Sequence, residues 1–312
     1  MTWRSIFLPK PRQLLLRLAF IVAIFPIIGL LGGHFWIFDL FNHFQYQYLA
    51  FFSFCLVLLL VIRALREATI VAVLLMLPLS RITPSYFPPA KLATSGAPLR
   101  VASFNVLVSN HRHDDALRWA RESNADCIYF TETTDKWTKA LKALADDYPY
   151  SIEGKKSGFA FYSKLPINRH KIVPCSDFEF SLLVADLATP HGEVAFFGIH
   201  PLPPVTKSWA NALDETMVIL AREVERESGP VIVVGDFNIT RWSKMARPLE
   251  RVQLLDASRG KSPEPTWMRS NPLVTIPIDR ILYRGQGMSC QNFHIGPDLG
   301  SDHRPVVAEI AW

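Results

Sequence analysis

The sequence is poor in cysteine. It has four in 312 residues: Cys55 inside an apolar run, and Cys127, Cys175 and Cys290 far apart. Neither a disulfide framework nor a zinc site with closely spaced ligands can be read from that set. Glycine and proline, 15 and 23 residues, show no period, which excludes a collagen-like chain. Internal repeats are lacking too. At 49% hydrophobic and 20% charged residues, the chain also lacks the composition of an intrinsically disordered protein. The last absence concerns charge. The formal net charge is +5, yet residues 98–312 hold 25 Lys+Arg against 26 Asp+Glu, a net of −1. The excess belongs to residues 1–97, where 8 Lys+Arg face only Asp39 and Glu67, a net of +6. A broad cationic field over the larger part of the chain is thereby excluded.

Long apolar runs, by contrast, are present, in keeping with a mean hydropathy of +0.16. Leu18 to Phe38 is 21 residues without a formal charge. At ~1.5 Å per residue such a run crosses a hydrocarbon core of roughly 30 Å. Pro26 inside it is tolerable, because membrane helices re-satisfy the freed carbonyl locally. Phe44 to Ile62 is a second run of 19 residues, with Tyr46 and Tyr48 placed as an interfacial belt. Ala68 to Ser80 has only 13 uncharged residues and spans if Arg66, Glu67 and Arg81 snorkel to the interfaces. The expectation is a transmembrane anchor over 1–82 (spans near 14–38, 44–63 and 66–84), a proline-rich linker over 83–97 and a domain over 98–312. A cleaved signal peptide would be shorter and followed by a small-residue cleavage site. Arg4, Lys10, Arg12 and Arg17 in the tail and Arg63 and Arg66 in the second loop, against no cation in 39–44, place the N-terminus inside. The chain then reads as a multi-pass cell-membrane protein with residues beyond 82 on the extracytoplasmic (periplasmic) side. A two-span reading would leave them in the cytoplasm.

Residues 98–312 are long enough for one large core. Strands are expected at 99–107, 126–132, 159–164, 181–188, 193–200, 231–238, 278–284 and 305–312, the third to fifth spaced for hairpins. Helices are expected at 114–124, 135–146 and 206–228. Strands and helices without a strict βαβ rhythm predict an α/β fold, a sandwich of two packed mixed sheets with outer helices.

Polar residues recur at the ends of these apolar strands: Asn105, Glu132, His200, Asp236 with Asn238, Asp279, and Asp302-His303. One such ending is an ordinary turn. Six of them carrying only Asp, Glu, Asn and His, gathered on one rim, would form a cluster of oxygen ligands with two imidazoles. That inventory suits a hard divalent cation, Mg²⁺ or Mn²⁺, and not a structural zinc. The series SFNVL, YFTE, GIHPLPP, VVGDFNIT, PIDRILY and GSDHRPV resembles the endonuclease/exonuclease/phosphatase superfamily, the metal-dependent phosphodiesterase group that includes deoxyribonuclease I. The likeness covers about residues 98–312, and with the apolar runs before it the chain is similar to bacterial membrane-anchored members.

That resemblance implies a four-layer α/β sandwich, a Mg²⁺-dependent site and phosphoester hydrolysis. It implies metal-side roles for Glu132, Asn105 and Asp302, with Thr131 standing where glutamine is frequent. Asp236 would orient or deprotonate the attacking water, and Asn238 would bind a phosphate oxygen. His303 would contact the scissile phosphate, with Asp279 fixing its tautomer, and His200 would serve as acid or phosphate ligand. The chemistry agrees: hydrolysis needs charge neutralisation at the phosphoryl oxygens, an activated water and help for the leaving alkoxide. The substrate stays open between nucleic acid, a phospholipid head group and a small phosphoester, with the bilayer as the other partner. Lys155, Lys156, Arg241, Lys244, Arg247 and Arg251 are candidate phosphate contacts or solvated charges. Trp267 is a substrate wall or plain core, and His111 to Asp115 reads as a solvated loop opening a helix. The reading from another class is a tethered binding module with an inactive domain; the retention of every position above argues against it.

Overall fold

The computed structural model describes residues 10–88, 97–176, 178, 180–261, 265–267, 271 and 273–312. It divides into two units, Met1–Pro84 and Ser85–Trp312. Arg4 and the 89–96 part of the expected linker lie outside the described residues.

The first unit is helical: α1 (Pro11–Gly29), the short α2 (Trp36–Asp39) running through a 3-10 turn into α3 (Gln45–Val61), and α4 (Leu65–Tyr86). Three stretches, Pro11–Gly29, Trp36–Val61 and Leu65–Tyr86, are long and apolar enough to cross a membrane. Their mutual contacts use small residues such as Ala19, Ala23, Cys55, Ala64 and Ala68, which let membrane helices approach closely. Phe20, Ile21, Ile24, Phe54, Val57, Val73 and Met76 face outward. The first expected span reached residue 38, whereas α1 stops at Gly29. There the Asn42 amide donates to the Gly29 carbonyl (2.7 Å) and to Asp39 (2.8 Å), satisfying a helix end that would otherwise lack a partner. The helix α4 continues to Tyr86, into the stretch expected as linker.

In the second unit the order is β1 (Leu99–Asn105), α5 (His113–Glu122), β2 (Cys127–Thr131), α6 (Asp135–Leu141), β3 (Tyr150–Gly154), β4 (Phe159–Ser163), β5 (Ile167–Pro174), β6 (Ser181–Thr189), β7 (Gly192–Ile199), α7 (Lys207–Arg226), β8 (Val231–Asp236), α8 (Arg247–Arg251), β9 (Leu255–Asp256), β10 (Asp279–Arg284), β11 (Ser289–Ile295) and β12 (Val306–Ala311). One six-stranded sheet runs β11-β12-β1-β2-β4-β3, the other β5-β6-β7-β8-β10-β9. Each has one parallel pair, β1 with β2 and β7 with β8; the remaining pairs are antiparallel.

Period-two alternation explains the layers. Val101, Cys127, Tyr129, Phe161, Leu183, Phe196, Ile232, Val234, Ile281 and Val306 share the core between the sheets. Their neighbours Ala102, Phe104, Ile128 and Phe130 point the other way, onto Leu117, Trp119, Ala120, Trp137 and Leu141 of α5 and α6. Behind the second sheet, α7 buries Leu213, Met217, Leu220 and Val224 at helical spacing, and Arg284 of β10 donates to its Val224 carbonyl (2.7 Å). Helices, sheet, sheet, helices is the four-layer α/β sandwich expected. Four strands were not expected: β3, β5, β9 and β11, the outer edges of the two sheets. The expected hairpin spacing also needs correction. Phe159–Ser163 pairs with β2 and β3 in one sheet, whereas Ser181–Thr189 pairs with β5 and β7 in the other.

Candidate active site at the rim shared by both sheets

Strand direction gathers the polar residues. β1, β2, β7 and β8 end at one rim, and antiparallel β10 and β12 begin there. Asn105, Asp236 and Asp279 are therefore terminal strand residues, while Glu132, His200 and His303 sit within a few residues of a strand end. The β1 and β2 side contributes Asn105, Glu132, Asp302 and His303; the β7 and β8 side contributes His200, Asp236, Asn238 and Asp279.

Asn105 is buried, and its amide joins the two sides, donating to Glu132 Oε1 (2.8 Å) and Asp236 Oδ2 (3.0 Å), with His303 Nε2 at 3.4 Å. Its own oxygen accepts from Leu107 N (3.1 Å), and Glu132 Oε2 accepts from Val108 N (3.2 Å). Asp236 Oδ1 accepts from Asn238 N (2.8 Å). Glu132 and Asn238 both hold left-handed backbones, φ 59° and 53°. For non-glycine residues that costs on the order of 1–3 kcal/mol each and aims a side chain where a strand would not. His200 Nε2 lies 3.7 Å from Asp236 and 3.9 Å from Glu132, with Phe180 against its ring. The Asn238 amide donates to the Pro201 carbonyl (2.9 Å).

Asp236 and Asp279 face each other directly across the β8–β10 pair, a like-charge juxtaposition that is destabilising by itself. His303 relieves it. Nδ1 bonds Asp279 Oδ2 at 2.8 Å, and Nε2 lies 3.6 Å from Asp236 Oδ2. Burial alone would lower the imidazole pKa, but Asp279 and Asp236 outweigh it and push it up to about 10. An imidazolium therefore stands between two carboxylates at neutral pH.

Among the described residues, Asp236, Asp279 and His303 are the carboxylate and imidazole groups close enough to share an ion, their ligand atoms lying within 4.8 Å. Two buried carboxylate oxygens beside them, Asp279 Oδ1 and Asp302 Oδ1, have no hydrogen-bond partner. Carboxylates and an amide with spare buried oxygens supply the oxygen donors that a hard divalent cation takes, while His303 as an imidazolium offers it no lone pair.

All eight expected residues thus join one network. Asp302 is its most open member, held through Oδ2 by the Trp267 indole N–H (3.1 Å), with Oδ1 4.0 Å from His303 Nε2. Arg241 turns inward instead, pairing with Asp256 (3.0 Å) beside Arg280 (2.9 Å). Against the upward push of burial, those guanidiniums hold the Asp256 carboxyl well below the usual carboxylate range. Asp115 pairs with Arg112 (2.6 Å) and Arg118 (2.9 Å), as a solvated helix start does. Supporting groups that sequence reasoning missed are Asn110, whose amide ties Val106 to Leu299 (both 3.0 Å), and Thr266, which accepts from Ile278 N and Asp279 N. No spacing in the sequence marks either residue.

Acids and histidines gathered across one rim of a two-sheet sandwich are groups that phosphoester hydrolysis can use. The model of the Endonuclease/Exonuclease/phosphatase family matches residues 102–303, and the chain belongs to that family. Its members hydrolyse phosphoester bonds and typically depend on divalent metals. Among solved structures, the chain is similar to a humanized D. rerio TDP2 at 17% identity and TM-score 0.59, covering 70% of this chain and 100% of that one. It is similar to an endonuclease/exonuclease/phosphatase from Beutenbergia cavernae at 19% identity and TM-score 0.59, covering 69% and 72%. Beta toxin from Staphylococcus aureus is similar at 17% identity and TM-score 0.53, covering 67% and 99%. Among curated protein sequences none matches.

Proposed function

We propose that the protein is a membrane-anchored, divalent-metal-dependent phosphodiesterase of the nuclease type, with its catalytic domain on the extracytoplasmic side. The observation that carries the activity is the eight-residue network bridging both sheets, built around Asn105, Asp236 and the Asp279–His303 pair. Glu132, with Asn105 and Asp302, would hold a Mg²⁺ or Mn²⁺ ion, which would supply positive charge for the phosphoryl oxygens. Asp236, its Oδ1 fixed by Asn238 N, orients a water and takes its proton. His303 donates from Nε2 to a phosphoryl oxygen while Asp279 anchors Nδ1. His200 serves the leaving alkoxide, and Asn238 contacts a phosphate oxygen once its amide leaves the Pro201 carbonyl.

A related structure, D. rerio TDP2, is described in complex with a single-strand DNA product, which supports a phosphodiester of nucleic acid as the first substrate to try. The same residues would act on a phospholipid head group or a small phosphoester. The test is hydrolysis of bis-p-nitrophenyl phosphate by the full chain in detergent, with Mg²⁺ and with EDTA. Asp236→Ala and His303→Ala should each lower kcat at least about 100-fold. A folded protein with no turnover under any divalent metal overturns the enzyme reading and favours a binding module. Rates on plasmid DNA, RNA and phospholipid vesicles then rank the substrates.

A further inference from the structure

The Asp279–His303 hydrogen bond joins the first residue of β10 to the lead-in of β12, strands of different sheets. Its length therefore depends on how the two sheets are held at this rim. Residues 266 and 267 cross the same gap. Thr266 N and Trp267 N both donate to the Ile276 carbonyl (3.2 and 3.1 Å), on the lead-in to β10. On the other side Arg304 N donates to the Thr266 carbonyl (2.8 Å), and Trp267 bridges to His303 on the lead-in to β12.

The two side chains then act on different carboxylates. Thr266 Oγ1 is buried and accepts from Ile278 N (3.2 Å) and Asp279 N (3.1 Å), fixing the backbone from which the Asp279 carboxylate projects. The Trp267 indole N–H takes Asp302 Oδ2 at 3.1 Å, leaving Oδ1 free beside His303. A valine at 266 would fill the same space and accept nothing. A phenylalanine at 267 would keep a ring and lose the N–H.

We infer that Thr266 and Trp267 are positioning residues that divide their work: Thr266 sets the Asp279–His303 pair and Trp267 sets the Asp302 carboxylate toward the divalent ion. The metal half rests on the proposed role of Asp302, so the test includes readouts other than turnover. In full-length protein, Mn²⁺ binding is followed by electron paramagnetic resonance, the Nδ1–H···Asp279 hydrogen bond by its downfield proton resonance, and kcat and KM on bis-p-nitrophenyl phosphate.

Trp267→Phe should weaken Mn²⁺ about tenfold or more and leave the downfield resonance in place. Thr266→Val should broaden or lose that resonance and lower kcat about tenfold, with Mn²⁺ affinity held within about twofold, and Thr266→Ser should restore both. Unchanged Mn²⁺ affinity in Trp267→Phe, or an intact resonance in folded Thr266→Val, overturns the assignment. So does a loss of both properties together in either variant, which is the mark of general loosening. If Thr266→Val does not fold, the Trp267→Phe and Thr266→Ser results decide. Should the chain hydrolyse no phosphoester at all, the two binding readouts still judge this inference separately from the proposed activity.

Discussion

At the scale of single residues, the site is an electrostatic problem with a definite solution. Asp236 and Asp279 stand opposite each other, and the His303 imidazolium makes that arrangement tolerable. His303 has its folded pKa raised from 6.5 to about 10, so it contributes stability that is fully present below about pH 6.5 and is lost as pH rises through about 10. In EDTA, urea unfolding of the wild type should show stability declining over that window, beyond whatever decline Asp279→Asn shows. Asp279→Asn should also bring the His303 titration, read by ¹⁵N NMR, down by at least about one pH unit. A titration that stays near 10 in the variant would place the cause elsewhere. The principal residues were legible because carboxylates, amides and histidines at the ends of apolar strands have few other uses in such number. Their supports were not. Thr266 and Trp267 acquire meaning only from Ile278, Asp279 and Asp302, which lie 12 to 35 residues away and meet them through tertiary packing.

Among secondary elements, legibility followed burial. The inner strands, such as β2 and β8, bury every residue and read as continuous apolar runs. The strands that went unread have one neighbour each, and β5, written INRHKIVP, leaves most of its residues exposed. An edge needs polar or charged side chains to discourage pairing with other chains, so it sheds the pattern by which a strand is recognised. One element-level detail sets the site. Gly235, just before Asp236, has φ 145°, and a Cβ there would lie 1.9 Å from the Ile199 carbonyl oxygen. Backbone of β7 occupies that space, and it cannot give way without disturbing the parallel pair that carries His200 and Asp236. Gly235→Ala should destabilise the fold by more than ~1 kcal/mol in denaturant titration. Activity should fall further than the folded fraction does, and wild-type stability in the variant would contradict this.

For the whole molecule, charge and hydropathy divide along the same line. The +6 of residues 1–97 borders helices able to cross a membrane, and the −1 of residues 98–312 belongs to the sandwich. The basic excess therefore lies with the apolar helices, and on the proposed function phosphoester binding would come from an ion and a few local contacts. Alkaline phosphatase fused after residue 95 should be active in a bacterial host, as three crossings with an inward N-terminus require. An inactive fusion would mean that α4 does not cross. The helical content of the first unit was readable from run length, while its turns were not, since α1 ends where Asn42 meets Gly29 rather than where the apolar residues stop.

The sheet order has a further consequence. β12 lies between β11 and β1, so among the described strands the latest in sequence fills an interior place beside the earliest. Without β12 in place, β1 lacks one neighbour and His303 is not held against Asp279. The described strands before it already carry or lead into five carboxylate and amide members of the site and the first histidine, yet no imidazolium stands between Asp236 and Asp279 until His303 arrives. On the proposed function, docking of that strand would be the step that completes the site.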